Sequence, residues 1–341
     1  MHRAIKLYST TIMNLKNQGS AQQMISITAI IEDMLKVTLR LFHARYAIRT
    51  LIIQPNWRAE KMFKIIHKDV LNAQVSRLVI EAPYVARKAE PGQFIILRTH
   101  KDGERVPFTI ADYDRSKGTI TIIFQIVGAT TQMLAKMEPG DFILDFAGPL
   151  GIASHFDGVK KAAVIGGGLG TAIAYPQAKK LHGMGVDVDM IAGFRNHELI
   201  ILEEEMKEVS TRLFVTTDDG SNGTKGFVTT MLKELIDAGN AYDVVIAIGP
   251  PIMMKFICEL TRPYGLRTIV SLNPVMVDGT GMCGGCRVTV GGVTKFACVD
   301  GPDFDGHLVD FDELIRRLGM YKSEEKISEE THACNIGINH K

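Results

Sequence analysis

The sequence predicts a β plus α/β protein: an antiparallel β-barrel, then a parallel-sheet nucleotide-binding domain, then a small C-terminal cysteine module. Three observations carry this expectation. From Phe63 to Gly151 the chain runs through short period-2 or apolar stretches separated by Gly, Pro and Asp, the pattern of an antiparallel barrel. After His155 it changes to apolar strand, glycine turn and helix in succession, the pattern of a parallel sheet covered by helices. Near the C-terminus, three of the five cysteines, Cys283, Cys286 and Cys298, gather behind Asp278.

Composition narrows the function classes. A length of 341 residues accommodates two or three domains with cores of their own. The net charge of +1, with no basic patch or polybasic tail, gives no electrostatic case for a nucleic-acid partner. No run of eighteen apolar residues offers a membrane span. Outside the cysteine module only Cys258, in a helical pattern, and Cys334 remain, which suits a reducing cytoplasm better than a disulfide scaffold. Cys258 reads as a core residue.

Residues 1–61 differ from the rest of the chain. They mix polar stretches with helix-prone runs such as MISITAIIEDMLKVTLRLF, contain Trp57, and only partly resemble a transit peptide, which would be rich in Arg and poor in acids. The expectation is an N-terminal extension outside the functional fold, with Met62 as the natural start.

The barrel is expected over 62–157. Its strands are FKIIHKDVL, VSRLVIEAP, GQFIILRTH, RVPFTIADY, GTITIIFQIVG and GDFILDFAGPLG. One helix interrupts them, TTQMLAKM at 130–137, preceded by Gly128 and Ala129 and capped by Thr130. Its free N–H groups could hold a pyrophosphate, or it could be an ordinary capped helix over a barrel end.

The α/β domain is expected over 158–265. The turn G-G-G-L-G-T places Gly166, Gly167, Gly168 and Gly170, with Thr171, between an apolar strand and a helix, where backbone can approach a dinucleotide phosphate. A glycine turn alone is a weak signal. The following strands VDVDMIAGF, RLFVTTDDG and YDVVIAIGP supply the context it needs. The second strand ends with Arg195 where an acid for ribose hydroxyls would be expected, and that arginine could pair with a 2′-phosphate or cap the sheet edge.

A cluster module is expected over 266–310, followed by a C-terminal helix and tail over 311–341. Asp278, Cys283, Cys286 and Cys298 spell D-x4-C-x2-C-x11-C, the plant-type [2Fe-2S] pattern with aspartate at the first ligand position. A carboxylate can replace a thiolate and keep the charge of the site. The Gly291-Gly292 turn can fold Cys298 back toward the pair. Zinc is the rival, although structural zinc sites usually bring paired knuckles, and a buried set of metal-free cysteines is the bland alternative.

A barrel, a GGGLGTA turn and a late IGPPIMM together resemble the ferredoxin:NADP reductase family over residues 62 to about 265. Adding the cluster segment, 62–334 is similar to its iron–sulfur branch, the small subunits of bifurcating ferredoxin:NADP oxidoreductases and the electron-transfer subunits of dihydroorotate dehydrogenase. Asp278 favours the first, since the second carries four cysteines. The resemblance implies FAD on Arg105, Pro107, Phe108 and Thr109, on Ile123, Phe124 and Gln125, and at Gly128, Thr130 and Thr131. It implies NAD(H), with NADP(H) possible, on Gly167, Gly168, Gly170, Thr171, Asp218, Gly249, Pro250 and Met253. It assigns no catalytic side chain, because hydride transfer between nicotinamide and flavin needs stacking geometry rather than an acid or base.

The implied activity is electron transfer between NAD(H) and a larger flavin and [4Fe-4S] subunit of glutamate-synthase type, with ferredoxin served through the complex. The alternatives are a pyrimidine-pathway subunit beside a dihydroorotate dehydrogenase barrel, and a non-catalytic cluster-bearing regulator.

Overall fold

A computed structural model describes residues 62–325. The N-terminal extension with Trp57, and Cys334 in the tail, lie outside the described residues.

The first unit contains eight strands: β1 (Phe63–Asn72), β2 (Val75–Glu81), β3 (Phe94–Arg98), β4 (Val106–Thr109), β5 (Asp112–Asp114), β6 (Thr119–Gln125), β7 (Phe142–Ile143) and β8 (Asp145–Leu150). All its pairings are antiparallel, as expected, but they make two sheets, ordered β5-β6-β2-β1-β7 and β4-β3-β8, and not one closed barrel. The reason lies at two corners. The chain crosses from one sheet to the other over residues 82–93, between β2 and β3, and turns directly from one to the other at Ile110–Ala111, between β4 and β5, and at Leu144, between β7 and β8. Strands that change sheets at a bend produce a two-sheet corner in place of a continuous ladder. Pro107 further limits β4, because it has no N–H to donate. Both sheets close on one core, in which Ile65, Leu78, Ile80, Ile120 and Ile122 of the larger meet Ile95, Leu97, Phe108 and Phe146 of the smaller.

The helix expected at 130–137 is α1 (Ala129–Lys136). Its N-cap is Gly128 and not Thr130. Thr131 Oγ1 accepts from the N–H groups of Val127 and Gly128, both at 3.0 Å, so a residue within the first turn satisfies the chain before the helix. Thr130 points elsewhere and donates to Glu104.

The second unit is a six-stranded sheet ordered β11-β10-β9-β12-β13-β16. Its parallel strands are β9 (Lys161–Gly167), β10 (Asp187–Phe194), β11 (Arg212–Thr217), β12 (Val244–Ile248) and β13 (Thr268–Ser271). Helices α2 (Gly170–Gly183), α3 (Val228–Asp237) and α4 (Pro251–Thr261) connect and cover them. β12 reads VVIAI and is buried throughout, as a strand covered on both faces must be. Successive residues of β9 alternate between two cores, Ala162 and Val164 on one face, Ala163 and Ile165 on the other.

The sheet runs past the boundary expected at residue 265. β13 continues it, and after a hairpin of β14 (Arg287–Val290) and β15 (Val293–Phe296), strand β16 (Asp303–Asp305) pairs antiparallel on its edge. Helix α5 (Phe311–Leu318) is capped by Asp310, whose carboxylate accepts from Glu313 N–H.

One buried charge ties β10 and β11 to the segment that leads into β12. Asp189 on β10 is fully buried and accepts from Arg212 of β11, at 2.7 Å from Nε, and from the Tyr242 hydroxyl at 2.7 Å. Burial alone would raise its pKa, but the hydrogen bonds from Arg212 and Tyr242 outweigh that and hold it below the usual carboxylate range. Asp189→Ala should therefore cost about 3 kcal/mol in urea unfolding, since it strands a partly buried guanidinium and a buried hydroxyl. The contribution is present above the ordinary carboxylate pKa of 3.8 and is lost as pH falls through the lower folded value. Acid titration of stability in wild type and Asp189→Asn should differ in that window.

Candidate cluster and nucleotide site

The cluster segment is a loop on the edge of the nucleotide sheet. It leaves at Ser271 and returns at Asp303, and these two residues are register partners. Leu272 N–H donates to Pro302 O at 2.9 Å and completes the neck. Beyond it, Gly279, Gly281 and Gly284 all have positive φ, which lets the backbone fold tightly around the ligand residues.

Asp278 organises the first half of that loop. Its Oδ1 accepts from Thr280 N–H at 2.7 Å and its Oδ2 from Cys283 N–H at 2.8 Å. These backbone donors, Thr280 first, keep its carboxyl below the usual range, so it is anionic beside Cys283. The β14–β15 hairpin, closed by Gly291 and Gly292, carries Cys298 back. Ala297 N–H donates to Cys286 O, and the Cys286 and Cys298 sulfurs lie 3.2 Å apart. Burial, then the Cys286 thiol, raises the Cys298 pKa.

The four expected ligands are thus brought together as two pairs, Asp278 with Cys283 and Cys286 with Cys298; among the described residues no three His, Cys, Asp or Glu close around one point. The sulfur separation of the buried pair is near the roughly 3.7 Å that two thiolates take on one tetrahedral ion with bonds of about 2.3 Å. Two two-donor half-sites suit a two-iron cluster, and the donor set of three thiols and one carboxylate carries its four charges. Cys283 and its neighbour Met282 are exposed, whereas Cys286 and Cys298 are buried. Cys258 lies in the core of α4, and burial pushes its thiol up to about 12.

The glycine turn follows β9. Gly168 has φ +55° and open space where a side chain would stand, and its N–H donates to Gly193 O at 2.8 Å. The other glycines serve close packing. A Cβ on Gly170 would lie 2.3 Å from Ile248 O and 2.7 Å from Gly249 Cα; one on Gly167 would meet Met253 Sδ at 2.4 Å and Pro250 at 3.2 Å. Gly249, Pro250 and Met253 therefore sit against the turn. Thr171, in the first turn of α2, holds a buried hydroxyl with no partner, an orphaned polar atom at the place where a phosphate would sit. Arg195 is exposed at the end of β10, where its carbonyl accepts from Asp219 N–H at 3.3 Å, while Asp218 N–H reaches Phe194 O.

The strand expected to carry flavin is β4. Phe108 is buried in the core and packs edge-on against Phe124 with ring centroids 5.8 Å apart. Strand alternation puts Pro107 and Thr109 on the opposite, half-buried face. Phe124 is likewise core; Ile123 packs in the cluster shared with the nucleotide unit, and Gln125 bonds to Gln74. Of these three residues the structure brings Phe124 against β4, through Phe108, and turns Ile123 and Gln125 to other partners. It does join the Gly128–Thr131 turn to the start of β4, through the Thr130 to Glu104 bond at 3.2 Å. Arg105 reaches the cluster loop, its Nε donating to Val277 O at 3.1 Å, a contact between flavin strand and cluster loop that no spacing in the sequence announces.

A two-sheet unit, a nucleotide turn and a cluster loop on one chain define an electron-transfer subunit of an oxidoreductase. Residues 273–310 match the family model described as the iron–sulfur cluster binding domain of dihydroorotate dehydrogenase B. A Thermotoga maritima homolog of the dihydroorotate dehydrogenase B (NAD(+)) electron transfer subunit is 45% identical over 80% of this chain and 96% of its own length. The electron transfer subunit of that enzyme from Streptococcus pneumoniae strain R6 is 33% identical over 72% of this chain and 96% of the relative. A chain of a solved NADH-dependent reduced ferredoxin-NADP oxidoreductase, studied for flavin-based electron bifurcation, is 45% identical, covers 79% of this chain and 96% of that one, and superposes with a TM-score of 0.75. The chain belongs to the family of dihydroorotate dehydrogenase B electron-transfer subunits and their homologues. It is an oxidoreductase subunit of flavin and iron–sulfur type, acting with a larger partner. Among the described residues no helix is long and apolar enough to cross a membrane.

Replacing Cys283, Cys286 or Cys298 by Ala should abolish the cluster in iron and sulfide analysis, and Cys258→Ala should not. Asp278→Ala should lose or destabilise it while leaving flavin bound; Asp278→Cys should restore a four-thiolate site with a shifted spectrum, because sulfur donates more covalently than oxygen. Full iron and an unchanged resonance signal in Asp278→Ala would refute the ligand assignment.

Proposed function

We propose that this chain is the FAD- and [2Fe-2S]-bearing subunit of a cytoplasmic complex that exchanges electrons between NADH and a larger flavin and [4Fe-4S] subunit of glutamate-synthase type, in ferredoxin-dependent reduction of NADP by electron bifurcation. The observation that carries this is Asp278 standing first in the cluster pattern, in a chain as similar along its length to the bifurcating oxidoreductase as to the dihydroorotate dehydrogenase homolog. FAD, when bound, supplies the conversion between a hydride and single electrons.

The chain's own residues do the rest. Gly168 opens the backbone to the nucleotide phosphates, and the N-terminus of α2 and the Thr171 hydroxyl offer donors to them. Gly249, Pro250 and Met253 wall the side of the turn where nicotinamide would lie. Pro107 and Thr109 offer a half-buried face to flavin, and the N–H groups at the start of α1 a place for its pyrophosphate. Asp278, Cys283, Cys286 and Cys298 hold the cluster. Arg105 spans the flavin strand and the cluster loop, so its cationic group serves that junction rather than the pyrophosphate alone.

Anaerobic titration with NADH, following flavin absorbance and the cluster's paramagnetic signal, tests this reading. Reduction of both supports it; a protein that binds flavin but reduces no dye with NADH would be the regulator. Co-purification distinguishes the two enzyme readings, since a glutamate-synthase-like partner supports bifurcation and a dihydroorotate dehydrogenase barrel supports pyrimidine biosynthesis.

NADH should be preferred over NADPH in kcat/KM. A strong preference for NADPH that disappears in Arg195→Ala would show instead that the exposed guanidinium at the end of β10 reads a 2′-phosphate.

A further inference from the structure

The buried acid at the neck of the cluster loop belongs to none of the sites above. Asp303 opens β16 as the register partner of Ser271. Its Oδ2 accepts from Ser154 Oγ at 2.5 Å and from Gln177 Nε2 at 3.2 Å. Ser154 lies in the connection out of the flavin unit, where its own N–H donates to Pro91 O, and Gln177 is fully buried in α2 of the nucleotide unit. One carboxyl group therefore touches all three parts of the molecule at the point where the cluster loop begins and ends. The fit is close, because a Cβ on Gly92 would fall 2.2 Å from Ser154 Oγ and 3.1 Å from Asp303 Oδ2.

Two acceptor oxygens, Asp303 Oδ1 and Gln177 Oε1, are buried here without a partner. A protonated carboxyl would add a donor to this short-handed group, and burial raises the Asp303 pKa in that direction against the hydrogen bonds of Ser154 and Gln177.

We propose that Asp303 is a positioning residue that fixes the cluster loop relative to the flavin unit and so sets the rate of electron passage between the two cofactors. The loop from 272 to 302 hangs on this neck. Its other polar ties to the flavin unit are the Ile152 N–H to Gly301 O bond at 2.7 Å and the exposed Arg105 to Val277 bond. Loss of the neck contact leaves the ligands themselves intact but lets the loop shift, and electron passage slows steeply as the separation of the two cofactors grows.

The inference rests on the proposed function, and the test separates the two. Wild-type protein lacking FAD or the cluster would defeat the proposed function. With both present, single-turnover reduction by NADH is followed at flavin and cluster wavelengths in wild type, Asp303→Ala and Asp303→Asn, together with hydrogen exchange over residues 272–302. Asp303→Ala should keep both cofactors, exchange faster in the loop and not in β9 or β12, and pass electrons from flavin to cluster about tenfold more slowly. Asp303→Asn keeps the shape, one acceptor and a donor, and should behave as wild type in both readouts. An alanine variant with unchanged transfer and exchange, or an asparagine variant as slow as alanine, overturns the proposal. Should Asp303→Ala fail to fold, Ser154→Ala and Gln177→Ala remove one partner each; slower transfer with both cofactors retained supports the proposal, and wild-type transfer in both overturns it.

Discussion

The closure of the cluster loop on the edge of the nucleotide sheet is the constraint that orders this molecule. Pairing of Ser271 with Asp303 fixes where residues 272–302 start and stop, and only because β13 and β16 lie side by side can Cys298 return to Cys286. The turn glycines then do local work, and Asp278 spends both carboxylate oxygens on the loop's own N–H groups. An acid in this position is a structural cap for the loop as well as an anionic donor, which gives a physical reason for oxygen where the plant-type pattern has sulfur.

Much of this was legible in the sequence. The strand runs of both units appear where the alternation puts them, because each buries one or both faces against a core large enough to reward the pattern. The glycine turn, with Gly249, Pro250 and Met253 against it, follows from residues whose absence of Cβ is a steric requirement, as the 2.3 Å approach of Gly170 to Ile248 O makes plain. The two-pair arrangement of the ligands follows from C-x2-C and a hairpin with a Gly-Gly turn.

What escaped has physical causes too. Switching of strands between sheets at Ile110–Ala111 and Leu144 is a tertiary event that leaves the period-2 pattern unchanged, so a closed barrel and a two-sheet corner read alike. Phe108 has the right chemistry for a flavin face, but parity along β4 points it at Phe124. Thr130 has the side chain of an N-cap, yet the helix starts one residue earlier and Thr131 supplies the hydroxyl. Asp303 stands in D-G-P-D-F-D-G among other acids, and nothing in that string marks out the one with a buried, unpartnered carboxyl oxygen.

The edge position of the cluster loop has an evolutionary side. The strands β11, β10, β9, β12 and β13 pair in parallel register whether or not the chain continues past Ser271, since the antiparallel β16 adds only to the outer edge. The loop is in effect a graft, inserted between the last parallel strand and a terminal edge strand. Its buried residues nonetheless join the core of the sheet, with Cys286, Val288, Ala297 and Cys298 in one cluster with Ala163, Ile165 and Val245, so a change inside the graft is felt by the nucleotide unit that carries it.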